Sequence, residues 1–158
     1  MTTLDVTAPA FVAMAHRIVW CTAATAGPDG APRTRVLHPI WEWDGDRLRG
    51  WIATVRTPLK AAHLDANPSV SLTYWDPTQD TCTADCGATW IDDDEKAALW
   101  ARFAEGPEPV GYDPSIVPGW DDADSPAFDG LVLEPRRLRV MPGTVLLQGT
   151  GEVLTWSA

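Results

Sequence analysis

The stretch from Arg33 to Val55, RTRVLHPIWEWDGDRLRGWIATV, decides the predicted fold because it contains two strand-forming segments around one tight turn. Residues 33–43 alternate and are rich in β-branched and aromatic side chains, which favour strands. Asp44-Gly45-Asp46 is a strong hairpin signal, and residues 47–55 form the returning strand. The stretch therefore predicts an antiparallel hairpin.

The segments on either side of this hairpin continue the same pattern. They predict further strands at residues 18–22, 70–75, 81–90, 130–134 and 138–140, a last hairpin over residues 144–156, and helices at residues 8–16, 57–67 and 92–103. Because hairpins outnumber strand–helix–strand units, we predict a mainly β fold, an antiparallel six- to seven-stranded barrel with peripheral helices. The length of 158 residues fits a single domain over residues 1–158.

Charge and hydropathy limit the classes of partner. The net charge is −10, which disfavours binding to nucleic acid or to anionic membranes. No apolar run reaches the ~18–20 residues that a membrane span requires. The first residues lack the basic start and apolar stretch of a signal peptide. We therefore expect a cytoplasmic protein that binds neither nucleic acid nor membrane.

The cysteines and histidines form no recognisable metal-binding or catalytic motif. Cys21, Cys82 and Cys86 have no neighbouring His or Cys cluster that would complete a metal site, so we interpret them as buried, reduced thiols and expect no metal. His38 precedes a proline in a strand and His63 lies in a helix, and we interpret both as structural. No Ser–His–Asp or Cys–His arrangement indicates a hydrolase.

A cationic patch is predicted beside the start of a helix. Residues 30–63 carry six basic and three acidic side chains, although the whole chain is acidic. Arg33 and Arg35 share one strand face, and Thr57-Pro58 begins a helix whose first turn holds Lys60. Guanidiniums, an ammonium, hydroxyls and free backbone N–H groups can converge on one phosphate. A solvated hairpin with ordinary surface charges is the alternative that stays open.

Three segments in this order resemble the FMN-binding split barrel of the pyridoxamine 5'-phosphate oxidase-like superfamily: Ala31–Pro39, Gly50–Thr54 and Leu59–Leu72. The resemblance covers about residues 11–156 and implies a split barrel that binds FMN as a homodimer. It implies that the flavin phosphate is held by Arg33 or Arg35 together with Thr54, Thr57 and Lys60. It also implies that the flavin ring lies along two strands, at Val36, Leu37, Trp51, Ile52 and Ala53.

The same resemblance implies a flavin-dependent oxidoreductase acting on an unidentified small molecule, with NADPH or NADH as a candidate electron donor. It assigns no catalytic residue, and residues 136–142 depart from the oxidase pattern, so vitamin B6 oxidase activity is not implied. Two alternatives stay open. One is a deazaflavin-dependent reductase, whose groove Arg47, Arg49 and Arg56 would extend. The other is a non-catalytic flavin-binding or flavin-less stress or sensor protein.

The segment Pro107–Pro126 is dense in Pro, Gly and Asp and predicts a long acidic surface loop. Its aromatic residues, Tyr112 and Trp120, favour a loop that packs on other parts of the molecule. One hypothesis is a cap near the cofactor that selects neutral or cationic substrates. The other is a solvated excursion remote from the site.

Overall fold

The computed structural model describes residues 1–158 and contains eight β-strands and four α-helices. The strands are β1 (Cys21–Ala26), β2 (Pro32–Leu37), β3 (Ile40–Trp43), β4 (Leu48–Thr54), β5 (Ser69–Trp75), β6 (Thr81–Trp90), β7 (Asp129–Met141) and β8 (Leu154–Ser157). The helices are α1 (Leu4–Ile18), α2 (Pro58–Ala66), α3 (Lys96–Ala104) and α4 (Gly143–Gln148). No helix is long and apolar enough to cross a bilayer.

The strands form one antiparallel sheet in the order β2-β1-β5-β6-β7-β4-β3, with β8 added to β7. This arrangement confirms the mainly β, antiparallel prediction with peripheral helices. The end strands β2 and β3 follow each other in the chain but do not pair, so the curled sheet stays open between them. That opening is the split of the barrel, and it positions the candidate site.

The main core fills the barrel under α1. Trp41 lies at its centre: its indole N–H donates to the hydroxyl of Tyr74 over 2.8 Å, and the ring of Phe11 meets it edge-on at 4.9 Å. The thiols of Cys21 and Cys82 are free and buried in this core, as predicted. A buried tryptophan with a satisfied N–H contributes a large apolar surface without an unpaired donor.

A second apolar cluster lies outside the barrel and holds α3 and the long loop against β3 and β4. Its fully buried members include Phe103 from α3, Val110 and Trp120 from the loop, and Phe128 just before β7. The rings of Trp120 and Phe128 meet at 5.0 Å, nearly perpendicular. Because this cluster anchors the loop, the loop packs on the rest of the molecule and is not a solvated excursion.

Two strand boundaries differ from the prediction because of local backbone constraints. The strand predicted at residues 33–43 divides into β2 and β3, since Pro39 lacks an N–H for the ladder and restricts His38. The strand predicted at residues 18–22 begins only at Cys21. Helix α1 runs on to Ile18, and Val19, with φ of 72°, turns the chain out of it.

The C-terminal part differs more. The two strands predicted at residues 130–134 and 138–140 are one strand, β7, in which the register skips Arg136 as a bulge. The hairpin predicted over residues 144–156 is wrong, because residues 143–148 form α4 and only β8 is extended. The apolar run Val145-Leu146-Leu147 fits a strand or a helix equally well, and Gly149, with φ of 67°, ends the helix. The strand count is therefore eight.

Candidate functional site

The two arginines of β2 have different surroundings. In the β1–β2 ladder Arg33 lies opposite Thr25 and Arg35 lies opposite Ala23. Arg35 is half-buried and its Nη1 donates to Oγ1 of Thr25 over 2.9 Å. Arg33 is exposed and forms no side-chain hydrogen bond or ion pair. Of the two arginines left open by the sequence, Arg35 is therefore the one directed toward the interior.

The start of α2 brings Lys60 to the same region. Thr57 is the N-cap and accepts from the backbone N–H of Lys60 over 3.3 Å, with Pro58 in the first turn. The Lys60 side chain is buried, and its Nζ donates to Oγ1 of Thr54 over 2.5 Å and to the carbonyl of Val55 over 2.8 Å. The hydroxyl of Thr54, at the end of β4, thus touches the ammonium directly.

The side chains of Lys60 and Arg35 are close enough to repel each other, and neither forms an ion pair with a carboxylate. Burial, and then repulsion by Arg35, lower the pKa of Lys60 to about 8, although Asp129 acts in the opposite direction. None of the five ion pairs in the molecule includes Lys60 or Arg35. Two neighbouring cations that form no ion pair favour an anion between them.

Buried polar side chains concentrate around these two cations. Only six polar or charged residues of the chain are buried, and four of them lie here: Thr25, Thr54, Lys60 and His63. Nδ1 of His63 lies 3.1 Å from Oγ1 of Thr25, the atom that also receives Arg35. Buried polar groups are retained in a fold where they are hydrogen-bonded, so these four residues, together with Arg35, form an organised polar cluster.

Sequence reasoning missed Thr25 as part of the site and interpreted His63 as structural. Thr25 lies in the strand sequence CTAATA, in which nothing distinguishes it from Thr22. Its role follows only from the pairing of β1 with β2, and that of His63 from the docking of α2 on β1. Both are long-range relationships that a local pattern does not contain.

Next to the polar cluster an apolar cavity of about 370 Å³ lies between β2, β4 and the long loop. Nine of its eleven lining residues are hydrophobic and none is a carboxylate, lysine or arginine. They are Val19, Trp20, Val36, Leu37, His38, Ala53, Pro109, Tyr112, Ile116, Val117 and Trp120. Val36 and Leu37 follow Arg35 directly, and Ala53 precedes Thr54. The cavity is therefore lined by chain neighbours of Arg35 and Thr54, while no residue of the polar cluster lines it.

Trp51 and Ile52, which were also expected to contact a flavin ring, do not line this cavity. The side chain of Ile52 is buried in the main core, and that of Trp51 in the second cluster beneath the guanidinium of Arg102, 3.8 Å from the ring centre. Only their backbone can face a ligand. Strand β3 pairs with β4 no further than Trp51, and β2 is the last strand of the sheet. Residues 52–54 and the outer edge of β2 therefore keep backbone hydrogen-bonding groups outside the ladders.

The walls of the cavity are aromatic and uncharged. The ring of His38 lies 5.0 Å from that of Trp20 and 5.1 Å from that of Tyr112. Burial lowers the pKa of His38 below its ordinary value and raises the pKa of Tyr112 to about 12. Both side chains are therefore neutral near pH 7. Tyr112 and Trp120 were predicted from the sequence as packing residues of the loop, but Trp20 and His38 were not associated with a site.

The arginines expected to extend a groove for a longer cofactor are separated. Arg47 pairs with Glu134, and Arg49 lies at the β3–β4 turn beside Asp44. These positions are at the opposite end of β4 from Thr54, about 16 Å away along an extended strand. The structure therefore does not bring Arg47 and Arg49 together with Arg35 and Lys60. Arg56, stacked 4.8 Å over the ring of Trp90, remains near the polar cluster.

A family model and several solved structures match this chain. A family model described as pyridoxamine 5'-phosphate oxidase matches residues 7–141. No curated protein matches the sequence.

Solved structures share the fold at low identity. A protein from Clostridium acetobutylicum related to general stress protein 26 of B. subtilis is 13% identical with a TM-score of 0.70, over 98% of this chain and 94% of that one. A pyridoxamine 5'-phosphate oxidase-related, FMN-binding protein from Nostoc punctiforme is 16% identical with a TM-score of 0.64, over 100% and 97%. An F420 reductase is 20% identical with a TM-score of 0.55, over 81% and 94%. At these identities the likeness shows a common split-barrel fold.

Proposed function

This chain belongs to the pyridoxamine 5'-phosphate oxidase family, and from that premise we propose that it binds FMN and is a flavin-dependent oxidoreductase of a small, uncharged molecule. One observation carries the proposal. The paired cations Arg35 and Lys60, neither with a carboxylate partner, adjoin an uncharged apolar cavity. A phosphorylated aromatic ligand has the matching charge and shape.

The phosphate end fits the residues present. A phosphate carries close to two negative charges near pH 7 and accepts several hydrogen bonds. Arg35 and Lys60 would supply charge, and Thr54 and Thr57 would supply hydroxyls beside the free N–H groups at the start of α2. Lys60 and Thr54 are already held in contact, so little side-chain entropy would be lost on binding.

The ring end fits as well. Val36, Leu37 and Ala53 would contact the flat apolar part of the flavin, and the free backbone edges of β2 and of residues 52–54 would hydrogen-bond its heteroatoms. Bound FMN supplies the hydride-transfer chemistry. The chain would supply orientation and, through Tyr112 and Trp120, exclusion of water.

The loop supports a preference among substrates. Residues 107–126 carry acidic but no basic side chains, and the cavity wall they contribute is neutral. An anionic substrate would meet repulsion and would lose hydration without a counter-charge. A neutral, largely apolar substrate meets neither cost.

We also propose a homodimer. Trp20, Val36 and Ile116 surround the cavity and are 58%, 65% and 70% exposed, which is unusual for large apolar side chains clustered at one place. A second copy that covers this face would bury them. Light scattering at micromolar concentration tests this, and a stable monomer of 17.2 kDa that still binds FMN would contradict it.

A deazaflavin is the second candidate cofactor, because the F420 reductase has the same fold. The separation of Arg47 and Arg49 from the polar cluster favours FMN, whose phosphate needs no further cationic groove.

The deciding experiment is a parallel titration of purified protein with FMN, riboflavin and F420, followed by mass spectrometry of the ligand that co-purifies. We expect FMN to bind at least tenfold more tightly than riboflavin. Equal affinities would contradict the phosphate site, and exclusive retention of F420 would replace FMN with a deazaflavin. An anaerobic assay with NADPH and NADH then separates an oxidoreductase from a flavin-binding protein without turnover.

A further inference from the structure

A chain of buried hydrogen bonds lies behind Arg35. Its guanidinium donates to Oγ1 of Thr25 over 2.9 Å, and the same oxygen lies 3.1 Å from Nδ1 of His63. Thr25 is 6% exposed and His63 is 4% exposed. The chain thus connects β2, β1 and α2, and its members on β1 and α2 are buried.

The directions of these bonds follow from the groups themselves. An arginine can only donate, so Oγ1 of Thr25 accepts from Arg35. The hydroxyl of Thr25 has one further neighbour, Nδ1 of His63, and makes no other hydrogen bond. The arrangement in which Nδ1 accepts is the one that satisfies the hydroxyl proton, and it places the proton of a neutral imidazole on Nε2.

The opposite side of the imidazole is equally confined. A Cβ on Gly27 would stand 3.0 Å from Nε2 of His63 and 2.9 Å from Oδ1 of Asp29. The β1–β2 turn thus closes over the ring without room for a side chain at Gly27, and it brings a carboxylate near the protonated nitrogen.

We propose that Thr25 and His63 are positioning residues that hold the Arg35 guanidinium toward the cofactor phosphate. A free arginine side chain has many rotamers, and ordering it costs conformational entropy. The hydrogen bond to Thr25 orders the Arg35 side chain before the ligand binds. His63 in turn holds the hydroxyl of Thr25 in the orientation that accepts from Arg35. The inference rests on the proposed function, since it requires Arg35 to contact phosphate.

The test uses the ratio of riboflavin to FMN dissociation constants, which isolates the phosphate contribution. Thr25→Val keeps the shape and β-branching but removes the hydroxyl, and we expect it to reduce the ratio roughly three- to tenfold, the usual effect of one net hydrogen bond. Thr25→Ser restores the hydroxyl and should restore the ratio. Thr22→Val, on the exposed face of the same strand, is the matched control and should leave the ratio unchanged.

A double-mutant cycle tests the role of His63. His63→Leu should reduce the ratio in the wild-type background but not in the Thr25→Val background, because His63 acts through that hydroxyl. Additive effects of the two substitutions would overturn the chain of positioning. Riboflavin affinity serves as the check on folding in each variant.

Different results would contradict the phosphate site and the positioning role of Thr25 and His63. If wild type binds FMN and riboflavin equally and Arg35→Gln has no effect, the phosphate site itself is wrong. If Arg35→Gln reduces the ratio but Thr25→Val does not, Arg35 binds phosphate without help and the positioning role is wrong.

Discussion

Nζ of Lys60 lies 2.5 Å from Oγ1 of Thr54, so the first turn of α2 is tied to the last residue of β4. The ammonium is buried at this contact and shares its surroundings with Arg35, and its pKa falls to about 8. A lysine that titrates this close to neutrality makes anion binding dependent on pH.

We expect FMN affinity to fall as pH rises through about 8, by up to tenfold per pH unit, while riboflavin affinity stays constant. The phosphate is already a dianion in this range, so the change reports Lys60. Fluorescence titrations from pH 7 to 9.5 measure it. Lys60→Met, which keeps the aliphatic stem, should bind FMN weakly at every pH. A slope that persists in this variant would assign the titration to another group.

The same pKa predicts the sign of a stability change in the cofactor-free protein. The folded pKa of about 8 is below the ordinary value of 10.5, so the unfolded chain binds the proton more tightly between these values. The contribution of Lys60 to the free energy of unfolding therefore rises as pH increases from about 8 to 10.5. Urea denaturation of wild type and Lys60→Met at both ends of this range checks it, and the variant should lack the increase.

The different surroundings of the two β2 arginines predict different variants. Arg35→Gln should weaken FMN binding roughly ten- to a hundredfold, the usual effect of losing a charge-assisted hydrogen bond. Arg33→Gln, which removes an exposed side chain of the same charge, should change it by less than about threefold. Isothermal titration of both variants provides the comparison. The reverse order would identify Arg33 as the phosphate ligand.

The anchoring of the loop predicts its effect on stability. Trp120 is 4% exposed within the second cluster, and Trp120→Ala should lower the free energy of unfolding by about 3–5 kcal/mol. Ile116, in the same loop, is 70% exposed, and Ile116→Ala should change it by about 0.5 kcal/mol or less. Equal effects in chemical denaturation would show that the loop does not depend on this cluster.

The neutral cavity predicts discrimination by charge. The photoreduced FMN protein, kept anaerobic, should be reoxidised by 1,4-naphthoquinone at least about tenfold faster than by 1,4-naphthoquinone-2-sulfonate. The sulfonate is the stronger oxidant in solution, so driving force alone favours the opposite order. Quenching of tryptophan fluorescence in the flavin-free protein gives a binding readout that does not require turnover. Ile116→Lys should reduce the discrimination, whereas faster reaction of the sulfonate with wild type would contradict the proposed substrate class.

Local pattern was sufficient for much of the fold. The alternation in residues 33–55 and the Asp-Gly-Asp turn give the β3–β4 hairpin, and Thr57-Pro58 gives the start of α2 with its cap. Local pattern failed where an apolar run fits a strand and a helix equally well. Residues 145–147 are an apolar run that forms α4, and the break at Pro39 depends on how the barrel turns a corner.

The residues of the candidate site also divide into those that local pattern predicts and those that it does not. Arg35, Thr54, Thr57 and Lys60 meet as expected because they lie at the ends of locally encoded elements. Thr25, His63, Trp20 and His38 could not be assigned to it, since each reaches the site through strand pairing or helix docking over long sequence separations.

The loop that bounds the cavity is fixed by Val110 and Trp120 in the cluster with α3, so it cannot swing aside as an independent flap. Widening the cavity on this side requires those side chains to leave their apolar partners, which is a partial unfolding event. A ligand that needs this widening should then associate more slowly than diffusion allows, and its rate should rise steeply with temperature, as rates of local opening do. Once bound, the ligand would leave on the same slow timescale, so residence time would be set by the packing of α3.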